Sequence, residues 1–134
     1  MADFTEPNQD LSATVLLVED DRPLLSFFSS VLRQEGYKVL EAVNGVEALM
    51  AAESQSDDRI DILLSDVAMP YMDGIQLAER LREIWPDIQV LLTSGLPVQE
   101  VRDRFGLRFK AEFLPKPFSI FDLTARVRRF AAAV

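Results

Sequence analysis

Four short segments hold the residues best able to do chemistry. Glu19-Asp20-Asp21 is a run of three carboxylates, and Ser65-Asp66 sets a fourth beside a hydroxyl. Thr93-Ser94-Gly95 offers two hydroxyls next to a residue with no side chain, and Pro115-Lys116-Pro117-Phe118 holds an ammonium between two prolines. Cysteine and histidine are both absent, which removes thiolate chemistry, imidazole acid–base catalysis and the usual zinc ligands. Carboxylates gathered in one place repel, two of them at about 4 Å and an effective dielectric of roughly 20 by about 4 kcal/mol. A raised pKa, a neighbouring cation or a metal must offset that, and an all-oxygen donor set selects a hard ion such as Mg²⁺. Each segment also has a plainer use. Asp20 or Asp21 suits the N-cap of a helix starting near Pro23, and Asp66, Ser94 and Lys116 are ordinary turn residues. The fold decides between the two uses by bringing the segments together or keeping them apart.

The elements that must position them are legible as an alternation. Short apolar runs recur at Val15-Leu16-Leu17-Val18, Val39-Leu40, Ile62-Leu63-Leu64, Val90-Leu91-Leu92 and Phe113-Leu114. Between and after them stand sets at helical spacing: Leu24, Phe28, Val31 and Leu32; Val46, Leu49 and Met50; Leu77, Ala78, Leu81 and Ile84; Ile120, Leu123, Val127, Phe130 and Val134. Gly36 ends the first helix, and Ser119 with Asp122 opens the last with a capping box. A fourth helix around Pro97 to Phe105 is short and weakly patterned. Residues 1–13 read as a disordered lead-in and 14–134 as one domain.

Alternating strands and helices make an α/β fold, a doubly wound parallel sheet of five strands. The first, third and fourth strands are continuously apolar, as strands buried on both faces should be. The second and fifth carry Lys38 and Glu41, and Lys110 and Glu112, as edge strands tend to. Strand order 2-1-3-4-5 follows. In such a sheet the ligand site lies beyond the carboxyl ends of strands 1 and 3, where Glu19-Asp20-Asp21 and Ser65-Asp66 fall.

Composition bounds the partners. The 134 residues carry a formal charge of −8, which opposes binding to nucleic acid. No stretch reaches the ~20 apolar residues of a membrane span, and the opening residues have no basic-then-apolar signal pattern. A cytoplasmic protein without membrane contact is expected.

With the four segments in this order, each at a strand end, the chain from about Thr14 onward resembles the CheY-like receiver domains of two-component response regulators. The resemblance rests on Leu16-Leu17-Val18-Glu19-Asp20-Asp21, Ser65-Asp66-Val67-Ala68-Met69-Pro70 with Met72-Asp73-Gly74, Leu91-Leu92-Thr93-Ser94-Gly95, and Leu114-Pro115-Lys116-Pro117-Phe118. It implies that Asp66 accepts a phosphoryl group from a histidine kinase or histidine phosphotransfer protein. It implies that Asp20, Asp66 and the Ala68 carbonyl bind Mg²⁺, with Glu19 assisting. Lys116 would pair with the phosphoryl oxygens, and Ser94, chosen over Thr93 because a small residue follows it, would reorient to meet them. Phe113 matches the aromatic switch position, which would carry the signal to a downstream protein partner at the face of helix 4, strand 5 and helix 5. Ala68 and Leu96, apolar where the family tunes hydrolysis, imply slow loss of the phosphoryl group. The Ser94-Gly95 and Phe113-to-Phe118 motifs look like receivers attached to sensor kinases or acting as single-domain shuttles, so a receiver fragment of a hybrid sensor kinase is an alternative.

Such a chain is a self-modifying switch and not a turnover enzyme. Three other classes compete. An FMN binder of the flavodoxin kind would set its phosphate where this chain has three carboxylates. A Mg²⁺-dependent phosphohydrolase of the haloacid-dehalogenase kind needs Asp-x-Asp, and neither Asp20-Asp21-Arg22 nor Asp66-Val67-Ala68 supplies it. An interaction module indifferent to phosphorylation would have no use for Asp20, Asp66, Ser94 and Lys116 together.

Overall fold

The computed structural model describes residues 13–54 and 59–133. Residues 1–12, nearly all of the expected lead-in, lie outside the described residues, as does Val134. Ala13 is already part of the fold: it is fully buried, and its carbonyl accepts the Lys38 amide at 3.1 Å.

Strands and helices alternate as β1 (Thr14–Val18), α1 (Arg22–Gln34), β2 (Lys38–Ala42), α2 (Gly45–Glu53), β3 (Ile62–Asp66), α3 (Gly74–Ile84), β4 (Gln89–Ser94), α4 (Val98–Phe105), β5 (Glu112–Pro115) and α5 (Ile120–Ala131). The strands pair in parallel in the order β2-β1-β3-β4-β5, as expected. Side chains alternate across a strand, so β1 feeds two cores. Leu16 and Val18 join Leu63, Leu77, Leu92 and Val101 under α2, α3 and α4. Val15 and Leu17 join Leu32, Leu64, Leu123 and Val127 under α1 and α5. Each fully buried leucine stabilises the fold by roughly 1.5–3 kcal/mol.

The helices start where short polar side chains can take their first amides. Asp21 caps α1, Asn44 caps α2, and Asp73 with Gln76 and Ser119 with Asp122 form capping boxes on α3 and α5. Pro97 precedes α4 without a side-chain cap, in keeping with the weak pattern of that segment. Gly36 follows α1 at φ +100°, a conformation that L side chains rarely adopt.

Two helix faces differ from the expected ones. In α2 the buried residues are Gly45, Ala48 and Ala52, while Val46 and Met50 are exposed. In α1, Leu25 and not Leu24 points inward. In α2 the small residues face inward and the larger apolar ones are left at its flank.

Each sheet edge is held by an arginine from the helix packed beside it. Arg33 of α1 donates to the Val39 carbonyl of β2 at 3.0 Å and to Glu41 at 3.0 Å. Arg126 of α5 donates to the Phe113 carbonyl of β5 at 2.7 Å and lies 3.7 Å from Glu112. Arg129 also bonds Glu112. Among the described residues no helix is long and apolar enough to cross a membrane.

Candidate functional site

The site forms where the chain order reverses, between the carboxyl ends of β1 and β3. Glu19 directly follows β1, anchored by its amide on the Ala42 carbonyl at 3.1 Å, and its side chain is buried. Asp20 follows and is exposed. Asp21 leaves the cluster to cap α1, accepting the Leu24 amide at 3.1 Å, which settles the capping role on this residue. Asp66 ends β3 and is only 6% exposed. The three remaining acids, Glu19, Asp20 and Asp66, bring carboxylate oxygens within 4.8 Å of one another.

Opposite charge arrives from β5. The Lys116 amide donates to the Ser94 carbonyl at 2.9 Å, fixing the loop after β5 against the end of β4. The Lys116 ammonium then reaches Asp66 Oδ1 at 2.7 Å and lies 3.7 Å from Glu19. Burial pulls the Lys116 pKa down, but the hydrogen bond and charge of Asp66, with Glu19 and Asp20 behind it, hold it above the ordinary value of 10.5. Lys116 is thus firmly an ammonium.

One ammonium against three carboxylates leaves the pocket anionic. The cost falls on Glu19, whose pKa rises from 4.5 to about 7, chiefly because burial disfavours its charge, with Asp66 adding repulsion against the favourable Asp21 amide and Lys116. The folded chain therefore holds this proton more tightly than the unfolded chain does, and stability falls as pH rises from about 4.5 to about 7. Below that window both states are protonated and the penalty vanishes. With metal chelated, unfolding free energies from urea denaturation at pH 5 and pH 8 should differ by roughly 2 kcal/mol from this residue. In Glu19→Gln that share of the difference should be gone; an unchanged pH slope in the variant would show the charge to be relieved elsewhere.

The donor set suits a hard divalent cation such as Mg²⁺: three carboxylates, one exposed to solvent, with no nitrogen or sulfur among them. Ala68, two residues beyond Asp66, is exposed at the same end of the sheet.

Two expected site residues stand slightly apart. Ser94 is half-buried, and its hydroxyl accepts the Leu96 amide at 3.0 Å instead of meeting Asp66. Phe113 is half-buried against the core under α2, α3 and α4. The hydroxyl on Asp66 is that of Thr93, which donates to Oδ1 at 2.6 Å. Strand register accounts for this contact: β3 and β4 pair Asp66 with Thr93, and paired residues share a face. Gly74, the last residue of the Met72-Asp73-Gly74 motif, supports the site from below. It packs so tightly under the site that a Cβ there would lie 2.2 Å from the Asp66 carbonyl oxygen.

The family model for the response regulator receiver domain matches residues 15–128. The chain belongs to the response regulator receiver family.

Receiver domains are signalling switches of two-component systems, for which phosphorylation and Mg²⁺ are standard. This receiver is 42% identical over 117 residues to sensor kinase CckA of Brucella abortus (strain 2308), covering 87% of this chain and 12% of that one. It is 33% identical over 119 residues to the response regulator receiver protein CpdR of the same organism, covering 89% of this chain and 97% of CpdR. Among solved structures, the receiver domain of hybrid histidine kinase CckA matches with a TM-score of 0.73 at 37% identity, over 89% of this chain and 99% of that one. Chemotaxis protein CheY4 of Vibrio cholerae matches with a TM-score of 0.78 at 28% identity, over 89% and 98%. The receiver thus spans a small part of CckA and 47% of the CpxR protein of Escherichia coli (strain K12), but nearly all of CpdR.

Proposed function

We propose that this receiver takes a phosphoryl group on Asp66 from a phosphohistidine of a histidine kinase or phosphotransfer protein, and relays the change through a protein contact. The observation that carries this is the convergence on one buried carboxylate of an ammonium at 2.7 Å and two further carboxylates. In the transfer an Asp66 carboxylate oxygen bonds phosphorus while the N–P bond breaks, and the departing imidazole keeps the electron pair. Glu19, Asp20, Asp66 and the Ala68 carbonyl would hold Mg²⁺, which when bound neutralises charge on the oxygens of the transferred group.

The chain's own residues do the rest. Lys116 offers a fixed positive charge to the phosphoryl oxygens. Ser94, whose hydroxyl accepts the Leu96 amide at 3.0 Å in the resting chain, turns inward to donate a hydrogen bond to them. The space it leaves lets Phe113 shift, changing the surface of α4, β5 and α5 where the downstream partner docks. Ala68 and Leu96 carry no group to orient a water, so the phosphoryl group departs slowly. The kinase side of such a relay is cytoplasmic, and the chain is proposed to work there.

Intact-mass spectrometry after incubation with acetyl phosphate and Mg²⁺ tests the assignment. One adduct of about 80 Da is expected on the native chain. None is expected on Asp66→Asn or after chelation. Continued release of phosphate without an accumulating adduct would instead mark a phosphohydrolase.

A further inference from the structure

The resting contacts of Asp66 are uneven. Thr93 Oγ1 and Lys116 Nζ both meet Oδ1, at 2.6 Å and 2.7 Å. An oxygen with two lone pairs is then fully engaged. The two donors differ in freedom. Lys116 is a long side chain about a third exposed, able to swing toward a transferred group. Thr93 is 5% exposed, and its branched side chain is stiff at χ1. Thr93 also lines a cavity of about 10 Å³ shared with Glu19 and Ser65 and with the apolar Leu17, Phe28, Leu64 and Phe118. That space admits at most one water, so a phosphoryl group cannot enter it. The transferred group must stand on the open side, where Asp20 is exposed, and Thr93 remains behind with the carboxyl oxygens.

We propose that Thr93 binds the Asp66 carboxylate more strongly than the acyl phosphate, and thereby promotes departure of the phosphoryl group. The free carboxylate shares a full negative charge, and a hydroxyl donating to it makes a charge-assisted bond. Once one oxygen is bonded to phosphorus, the charge resides on the phosphoryl oxygens and Thr93 faces a neutral acceptor. In hydrolysis a water oxygen attacks phosphorus, the P–O bond to Asp66 breaks, its electron pair returns to the carboxylate, and the water's proton passes to phosphate or solvent. In return transfer an imidazole nitrogen takes the place of water. Both routes restore negative charge beside a donor already in position.

The inference rests on Asp66 as the acceptor. Its test measures the lifetime of the adduct by intact mass after removal of the donor phosphoramidate, whose N–P bond matches that of phosphohistidine. Thr93→Val keeps the shape and removes the hydroxyl, and should lengthen the lifetime by roughly five- to tenfold, the difference between a charged and a neutral hydrogen bond. Thr93→Ser should restore the native lifetime. The lengthening should persist when metal is chelated after phosphorylation, and the rate of adduct formation should not fall. A lifetime in Thr93→Val that is unchanged or shorter, a slower formation, or a Thr93→Ser chain that behaves like the valine variant would each overturn it. Thr93→Ala, which adds no atoms, carries the same test if the valine variant does not fold. Absence of an adduct on the native chain sinks the Asp66 reading itself; a native adduct with no effect at Thr93 sinks this inference alone.

Discussion

Lys116→Met is expected to slow phosphorylation of Asp66 by about two to three orders of magnitude, the usual loss when one preorganised group that stabilises developing charge is removed. Methionine fills similar space, so the deficit reports charge and not packing. Three carboxylates within 4.8 Å would then face an incoming anionic group with no ammonium among them. Lys116→Arg should not rescue the rate, because a planar guanidinium cannot occupy the position of a compact ammonium 2.7 Å from Asp66 Oδ1 and 3.7 Å from Glu19. The rate of adduct formation from acetyl phosphate measures both. A methionine variant within threefold of native would remove Lys116 from the mechanism. The variant should also bind the Glu19 proton more tightly, since Lys116 is one of the influences lowering that pKa.

Gly74→Ala should produce the largest loss of stability, about 3 kcal/mol or more, through overpacking against backbone. A Cβ at this position would sit 2.2 Å from the Asp66 carbonyl oxygen and 3.1 Å from its carbon. Neither neighbour is a flexible side chain that can step aside. The Gly74 amide is also bonded to the Val67 carbonyl at 2.8 Å, so α3 cannot back away without breaking the turn that follows Asp66. Gly95→Ala is the control: nothing lies within 4 Å of its Cβ position, and a change within about 0.5 kcal/mol is expected. Urea denaturation of the two variants beside the native chain decides the matter. A Gly74→Ala midpoint close to that of Gly95→Ala would mean that the backbone yields there easily.

The sheet and the acidic trio were readable because they rest on coarse signals. Runs such as Ile62-Leu63-Leu64 admit little but a doubly buried strand, and charged residues at the second and fifth strands mark the edges. Once the order of strands is known, Glu19, Asp20 and Asp66 must meet, and Lys116 must arrive from the next strand end. What escaped depends on finer geometry. Thr93 and Ser94 are adjacent hydroxyls, and only the β3–β4 register tells which faces Asp66 in the resting chain. The inner face of α2 escaped because Ala48 and Ala52 look weaker than Val46 and Met50 on any hydrophobicity scale. Close packing selects size over hydrophobicity there: a Cβ on Gly45 would lie 2.9 Å from the Met72 side chain. The Met72-Asp73-Gly74 motif marks Gly74 but not its tight contact, which is a distance to another segment's backbone.

The arginines at the two sheet margins bear on how this small domain behaves when crowded. An open sheet leaves its outermost strands with carbonyls and amides available to any other extended chain, which is the usual route to fibrils and tangled dimers. Here Arg33 occupies the Val39 carbonyl and Arg126 the Phe113 carbonyl. A stray strand would have to evict a guanidinium from each before it could add on. Each margin thus has one outward carbonyl already engaged, which disfavours accidental stacking at that point.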